Sequence, residues 1–173
     1  FRSRLFDHCE EENDQYPDAI RVSWTSGAAM LIRASDFWAV KGFDGRFFAH
    51  MEEIDLCLRL GQLGRQFYCV PQATVWHYGG ATLDYENPKK SYLNFRNSLY
   101  MLVKNQQKGL LLVLFIRMCL DGIAALHFLA KGKPQLVWQV FKAHMALYKN
   151  FGIFYRDRQK TSHAIYRYKG LIL

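Results

Sequence analysis

The chain is poor in acid where it is richest in base. Residues 104–173 hold 12 Lys and Arg but only two carboxylates, Asp121 and Asp157, while residues 1–103 hold 11 basic and 13 acidic residues. The formal charge of +8 is therefore carried by the back of the chain. That region is also apolar and aromatic, and Leu110 to Ile116 is an unbroken hydrophobic run. Surfaces built for nucleic acid carry basic and polar residues without such runs, so the composition argues against nucleic acid as a partner. Basic, apolar and aromatic together point to an anionic membrane surface. Cysteine is sparse as well: Cys9, Cys57, Cys69 and Cys119 are far apart, with no CxxC pair. This excludes a zinc ribbon and a disulfide framework, and fits free thiols in a reducing compartment. There is no internal repeat, no low-complexity tract and no signal-peptide pattern, and the first residue is Phe1. The chain reads as a piece of something longer. Half its residues are hydrophobic and 16% aromatic, which excludes a disordered chain, and 173 residues suffice for one ordinary core or two small ones.

Acid is concentrated at one place, Glu52-Glu53-Ile54-Asp55, directly after Phe47-Phe48 and directly before a helical pattern. Leu56, Leu60 and Leu63 recur at helical spacing and predict a buried stripe. Glu52, Asp55, Arg59 and Gln62 fall on a polar stripe beside it, with Asp55 and Arg59 spaced to pair at i,i+4. Glu53 instead heads the apolar stripe, so its carboxylate is expected to face the core side of the helix mouth. Burial opposes ionisation of a carboxyl and a helix N-terminus favours it; that balance suits a general base. The same spacing is also what an acidic first turn answering the helix dipole would show.

Around this cluster the pattern predicts an α+β, mostly helical chain with a few short strands. A strand-like run covers 21–33 with a Ser26-Gly27 break, and a helix capped by Ser35 covers 35–41. The acidic helix runs from 52 to 63, short strands cover 66–70 and 74–77, and a helix fills 88–104 with Tyr92, Phe95, Leu99 and Leu102 on one face. An apolar stretch from 110 to 130 is interrupted only by Arg117, Asp121 and His127. It is long enough to cross a bilayer, but Arg117 and Asp121 are costly there unless paired. It is read as an in-plane or protein-packed helix. Pro134 suits the first turn of a further amphipathic helix with Val137, Val140, Phe141, His144 and Tyr148, and a basic, Tyr-rich tail follows.

The set Ser26-Gly27-Ala28-Ala29, Gly42-Phe43-Asp44, Phe47-Phe48, Glu52-Glu53-x-Asp55-Leu56-x-x-Arg59, Val70-Pro71 and His77-x-Gly79-Gly80 resembles the second half of family 2 glycosyltransferases of the bacterial polysaccharide-assembly type. These are inverting, nucleotide-sugar-dependent enzymes with the GT-A fold. The resemblance covers residues 1–105 and, less specifically, 106–150 through Asp121-Gly122 and Lys142-Ala143-His144. It implies a partial GT-A domain over 1–105 and a basic helical tail over 106–173. The tail is expected to associate with a membrane or to self-associate. The resemblance makes Glu53 the base, with Glu52 the runner-up and Asp55 orienting the helix start and the acceptor. His77 becomes a ligand for a divalent metal (Mg or Mn) on the donor diphosphate in the longer enzyme. Gly27, Ala28, Gly79, Gly80 and Arg96 become substrate contacts. The implied partners are a nucleotide-sugar donor and a saccharide or lipid-linked acceptor, at the cytoplasmic face of the bacterial inner membrane. The family's Asp-x-Asp motif and a Gly-rich phosphate loop are both absent from this sequence, so the donor half is expected to be missing and the chain inactive by itself, with no metal bound. The competing reading is a non-catalytic helical module that binds a membrane or partner.

Overall fold

The computed structural model describes residues 16–76 and 87–158. Two short strands, β1 (Ile20–Val22) and β2 (Phe67–Cys69), and five helices follow the chain: α1 (Ala34–Ala39), α2 (Glu52–Gln62), α3 (Pro88–Asn105), α4 (Leu110–Ala130) and α5 (Pro134–Arg156). β1 and β2 pair antiparallel with Ile20 opposite Cys69 and Val22 opposite Phe67. The long strand expected over 21–33 is therefore only its first residues; the chain turns at 26–29, where Ala29 N donates to Ser26 O at 3.4 Å. Residues 74–76 form no strand, and His77 lies outside the described residues.

The core is built on α3, which packs chiefly against α5 and also against α4 and α2. Leu99, Met101, Leu102 and Val103 are buried with Phe47, Leu58, Leu110, Val113, Leu114, Leu147 and Phe154. One apolar cluster thus runs across position 105/106, where the sequence pattern separates two regions. A second, smaller cluster joins Val40, Leu56 and Leu60 to Met30, Ile32, Phe37 and Phe67 under the strand pair.

Several face assignments change. Leu63 is 50% exposed and stands at the C-cap, just past the end of α2 at Gln62. Asp55 and Arg59, placed by spacing on a polar stripe, are fully buried. On α5 the buried face is Val140, Ala143, Leu147 and Phe154, whereas Phe141 and Tyr148 point outward. Ser35 lies inside α1, which Arg33 precedes without a side-chain cap.

The pair expected on the apolar helix is present. Arg117 Nε donates to Asp121 Oδ1 at 2.8 Å, and His144 Nε2 on α5 lies 3.2 Å from Asp121 Oδ2. Asp121 is buried, so α4 keeps its charge on the side facing α5. Its outer side carries Leu111, Leu112, Phe115, Cys119, Ile123, Leu126 and Leu129, exposed and uncharged. By length and composition α4 is apolar enough to cross a membrane. Replacing Asp121 by Ala strands Arg117 against an apolar interface and is expected to cost roughly 3 kcal/mol in urea unfolding. Converting both residues to Leu is expected to recover most of that loss.

Candidate functional site

The site begins at the entry to α2. Three residues there hold left-handed backbone without being glycine: Phe48 (φ 65°), His50 (φ 70°) and Met51 (φ 72°). Such conformations cost an L-residue about 1 kcal/mol or more and persist where surrounding contacts over-determine them. The contacts come from α3. The buried Asn97 Nδ2 donates to Phe47 O, Ala49 O and His50 O at 2.8, 2.7 and 2.8 Å. Arg96 Nη2 donates to Arg46 O and Phe47 O at 3.1 and 3.0 Å. The aromatic pair splits: Phe47 is fully buried against Phe154, while Phe48 is 65% exposed with Lys89 over its ring.

Met51 then opens α2 without a side-chain cap of its own, and the first turn carries Glu52, Glu53 and Asp55, acids that suit the positive end of the helix dipole. Glu52 and Glu53 are half-buried. The Oε2 atom of Glu52 is buried and accepts no hydrogen bond among the described residues. Glu53 faces the 25–27 turn. A Cβ built on Gly27 would lie 3.6 Å from Glu53 Cβ, in ordinary contact, and one turn further along α2 Cys57 Sγ lies 3.8 Å from Thr25 Oγ1. Burial pushes the Cys57 thiol up, Thr25 only partly offsetting it, which makes a poor nucleophile. Ala28 is exposed in the same turn, its N–H donating to Ser26 Oγ at 3.3 Å.

Behind the acid pair lies a chain of charge that is buried at Asp55, Arg59 and Lys104 and reaches the surface at Arg46 and Asp157. Asp55 Oδ2 accepts from Arg59 Nε at 2.8 Å and from Lys104 Nζ at 3.0 Å, and Asp55 Oδ1 accepts from Asn105 Nδ2 at 2.8 Å. Lys104 Nζ also donates to Asp44 at 2.7 Å, Asp44 to Arg46 is a salt bridge, and Arg46 reaches Asp157 at the end of α5 at 2.6 Å. Arg59 spends its remaining N–H groups on Val40 O and Gly42 O. Gly42 has to be glycine: its φ is +65°, and a Cβ there would meet the Phe37 ring at 2.8 Å. Burial pushes the Asp44 carboxyl up, but Arg46 and Lys104 together overcome it and hold Asp44 well below the usual carboxylate range.

The structure thus sets Glu53 against Gly27, with Glu52 beside it in sequence at the start of α2. Ala28 sits in the adjoining turn. Asp55 is 0% exposed with both oxygens engaged, so it braces α2 from within and offers no surface to an acceptor. Arg96 is directed at backbone carbonyls of the loop and lies over the rings of Tyr92 and Tyr100. His77, Gly79 and Gly80 lie outside the described residues. Among the described residues no three His, Cys, Asp or Glu side chains come close enough to hold a metal ion, so this part of the chain does not by itself fit the divalent ion that the resemblance implies. Helical spacing does not single out Asn97, Lys104 or Asn105, whose partners in the loop and on α2 lie 47 to 60 residues away; three polar residues among apolar neighbours on α3 are the available signal.

This geometry can be set beside known proteins. Rhamnosyltransferase WbbL of Escherichia coli K12 is 46% identical over 63 residues, which are 36% of this chain and 24% of that protein. The N-acetylglucosaminyl-diphospho-decaprenol L-rhamnosyltransferase of Mycobacterium tuberculosis is 34% identical over 93 residues, 54% of this chain and 30% of that protein. Both relatives are rhamnosyltransferases. The chain spans less than a third of the length of either. No family profile and no solved structure matches it.

Asp44 supplies a pH test. Its lowered folded-state pKa means that its contribution to stability is present above about 4, the ordinary carboxylate value, and is lost as pH falls below it. Asp44→Asn is expected to destabilise by about 1–3 kcal/mol at pH 7, and the gap to the parent chain should narrow progressively as pH falls below 4 in denaturant titrations.

Proposed function

We propose that the chain is the acceptor-side part of an inverting glycosyltransferase of the family 2 type, with Glu53 as the general base and Glu52 as the alternative. One observation carries this reading: a half-buried acid pair stands at the mouth of a helix whose N-cap residue, Met51, makes no side-chain cap bond, with Glu53 against the Gly27 turn. The two rhamnosyltransferase relatives support transfer of a sugar. The base would take the proton of an acceptor hydroxyl as that oxygen attacks the anomeric carbon. The bond to the nucleoside diphosphate breaks on the opposite face, and one displacement inverts the centre. Charge on the departing diphosphate would be met by groups outside the described residues, with His77, Gly79 and Gly80 as candidates and Mg²⁺ or Mn²⁺ as the ion they would help hold. The sequence contains neither an Asp-x-Asp motif nor a Gly-rich phosphate loop, so the chain alone is expected not to turn over a nucleotide sugar.

The mycobacterial relative is named for an N-acetylglucosaminyl-diphospho-decaprenol acceptor. By extension we propose a lipid-linked acceptor here, reached at the anionic cytoplasmic face of the inner membrane. The surface that would meet it is the uncharged outer side of α4 together with exposed Trp138, Phe141, Met145 and Tyr148 on α5. Lys142, Lys149 and Arg156 recur along α5 at intervals of seven, bordering those aromatics. Apolar area flanked by a basic stripe is the pattern of a helix pair lying in the bilayer interface.

In the longer enzyme that carries this chain, Glu53→Gln is expected to lower kcat by about 10²–10⁴-fold with folding intact. Full activity in both Glu53→Gln and Glu52→Gln would leave the non-catalytic module as the better account. For the surface, flotation with phosphatidylglycerol vesicles should recover the chain, and Lys142→Glu with Lys149→Glu should weaken binding about tenfold or more. A chain that forms dimers in solution and ignores anionic vesicles would assign the same face to a second copy instead.

A further inference from the structure

Two consecutive residues of α3 hold the whole segment in front of the acid pair. Asn97 takes the carbonyls of Phe47, Ala49 and His50, and Arg96 takes those of Arg46 and Phe47. Arg96 also donates from Nε to Asn97 Oδ1 at 2.9 Å. That bond fixes the amide's orientation: its oxygen is occupied by the guanidinium, so its NH₂ group must face the loop. Arg96 in turn is steadied between Tyr92 and Tyr100, 5.4 and 5.3 Å from their centroids.

An amide that merely satisfied buried carbonyls would not require unusual backbone, since a relaxed loop offers carbonyls equally well. Here Phe48, His50 and Met51 are all left-handed, and the last is the residue immediately before Glu52. Helix entry is usually set by a Ser, Thr, Asp or Asn cap; α2 has none. The direction in which its first turn leaves the loop is therefore set from α3.

We propose that Asn97, braced by Arg96, is a positioning residue. It touches no substrate, and it fixes the peptide planes of 47–50 so that the first turn of α2 starts with Glu53 against the Gly27 turn. This rests on the transferase reading given above, and it assigns to the Arg-Asn pair a role toward the base in place of a contact with phosphate or acceptor.

The test combines kinetics with a readout that needs no substrate. In the longer enzyme, assayed where circular dichroism shows the variant folded, Asn97→Ala should lower kcat at least about tenfold while the donor KM stays within about twofold. Arg96→Lys, which keeps the charge but loses the fork, should lower kcat by less. In the 173-residue chain itself, Asn97→Ala should speed amide exchange across 47–55 while 134–156 stays unchanged. A folded Asn97→Ala enzyme with kcat within twofold of the parent, or unchanged exchange at 47–55, would overturn the proposal. Should Asn97→Ala not fold, Arg96→Lys carries both measurements, with unchanged kcat and exchange overturning it. Failure of the transferase reading shows differently, as activity indifferent to Glu53→Gln and Glu52→Gln beside an altered exchange pattern.

Discussion

The carboxylate of Asp55 is the constraint on which this structure depends. It is 0% exposed and is met by a guanidinium, an ammonium and a carboxamide, from Arg59, Lys104 and Asn105. A buried carboxylate is tolerable only when charge and hydrogen bonds surround it, and removing one partner costs far more than the pair contributes on balance. Asp55 and Arg59 belong to α2, while Lys104 and Asn105 belong to α3, so the two helices can pack in one register only. From Lys104 the charges continue through Asp44 and Arg46 to Asp157. That chain ties the loop before α2 to the end of α5. Arg59 extends it the other way by binding Val40 O and Gly42 O, which fixes the turn after α1.

This explains why motif residues that look chemical prove to be scaffold. Gly42 is demanded by its own φ and by the Phe37 ring, and Asp44 by two cations. Asp55 is consumed by the network. What the network leaves open is the first turn of α2. Glu52 and Glu53 stand in front of an interface rigid from behind, beside a turn in which Gly27 brings no side chain against them. If Glu53 is the base of the proposed transfer, a position that needs no reorganisation is what proton transfer in a transition state asks for.

Much of this was legible in the sequence, and the limits follow from separation along the chain. The helices 52–62, 88–105, 110–130 and 134–156 follow from periodicity, Pro88 and Pro134 marking two of their starts. Leu56 and Leu60 are buried as their spacing demands. The i,i+4 pairs Asp55–Arg59 and Arg117–Asp121 were readable because they are local. Their burial was not, since it depends on partners such as Lys104 and His144, 49 and 23 residues away. The strand over 21–33 fails for a related reason: apolar residues there pack under the strand pair from a turn, and Ser26 bonds its own neighbours. On α5, periodicity found an amphipathic helix but assigned its aromatics inward. Small Ala143 is buried, and Phe141 and Tyr148 remain outside.

The central claim is that a buried ion pair between α2 and α3 sets the position of the acid pair. A double-mutant cycle between Asp55 and Lys104 measures it most directly, using Asp55→Asn, Lys104→Met and the double variant in urea unfolding at pH 7. The account predicts a coupling of about 1.5–3 kcal/mol, with the double variant more stable than the sum of the single losses allows. A coupling near zero, with the two losses simply adding, would contradict it.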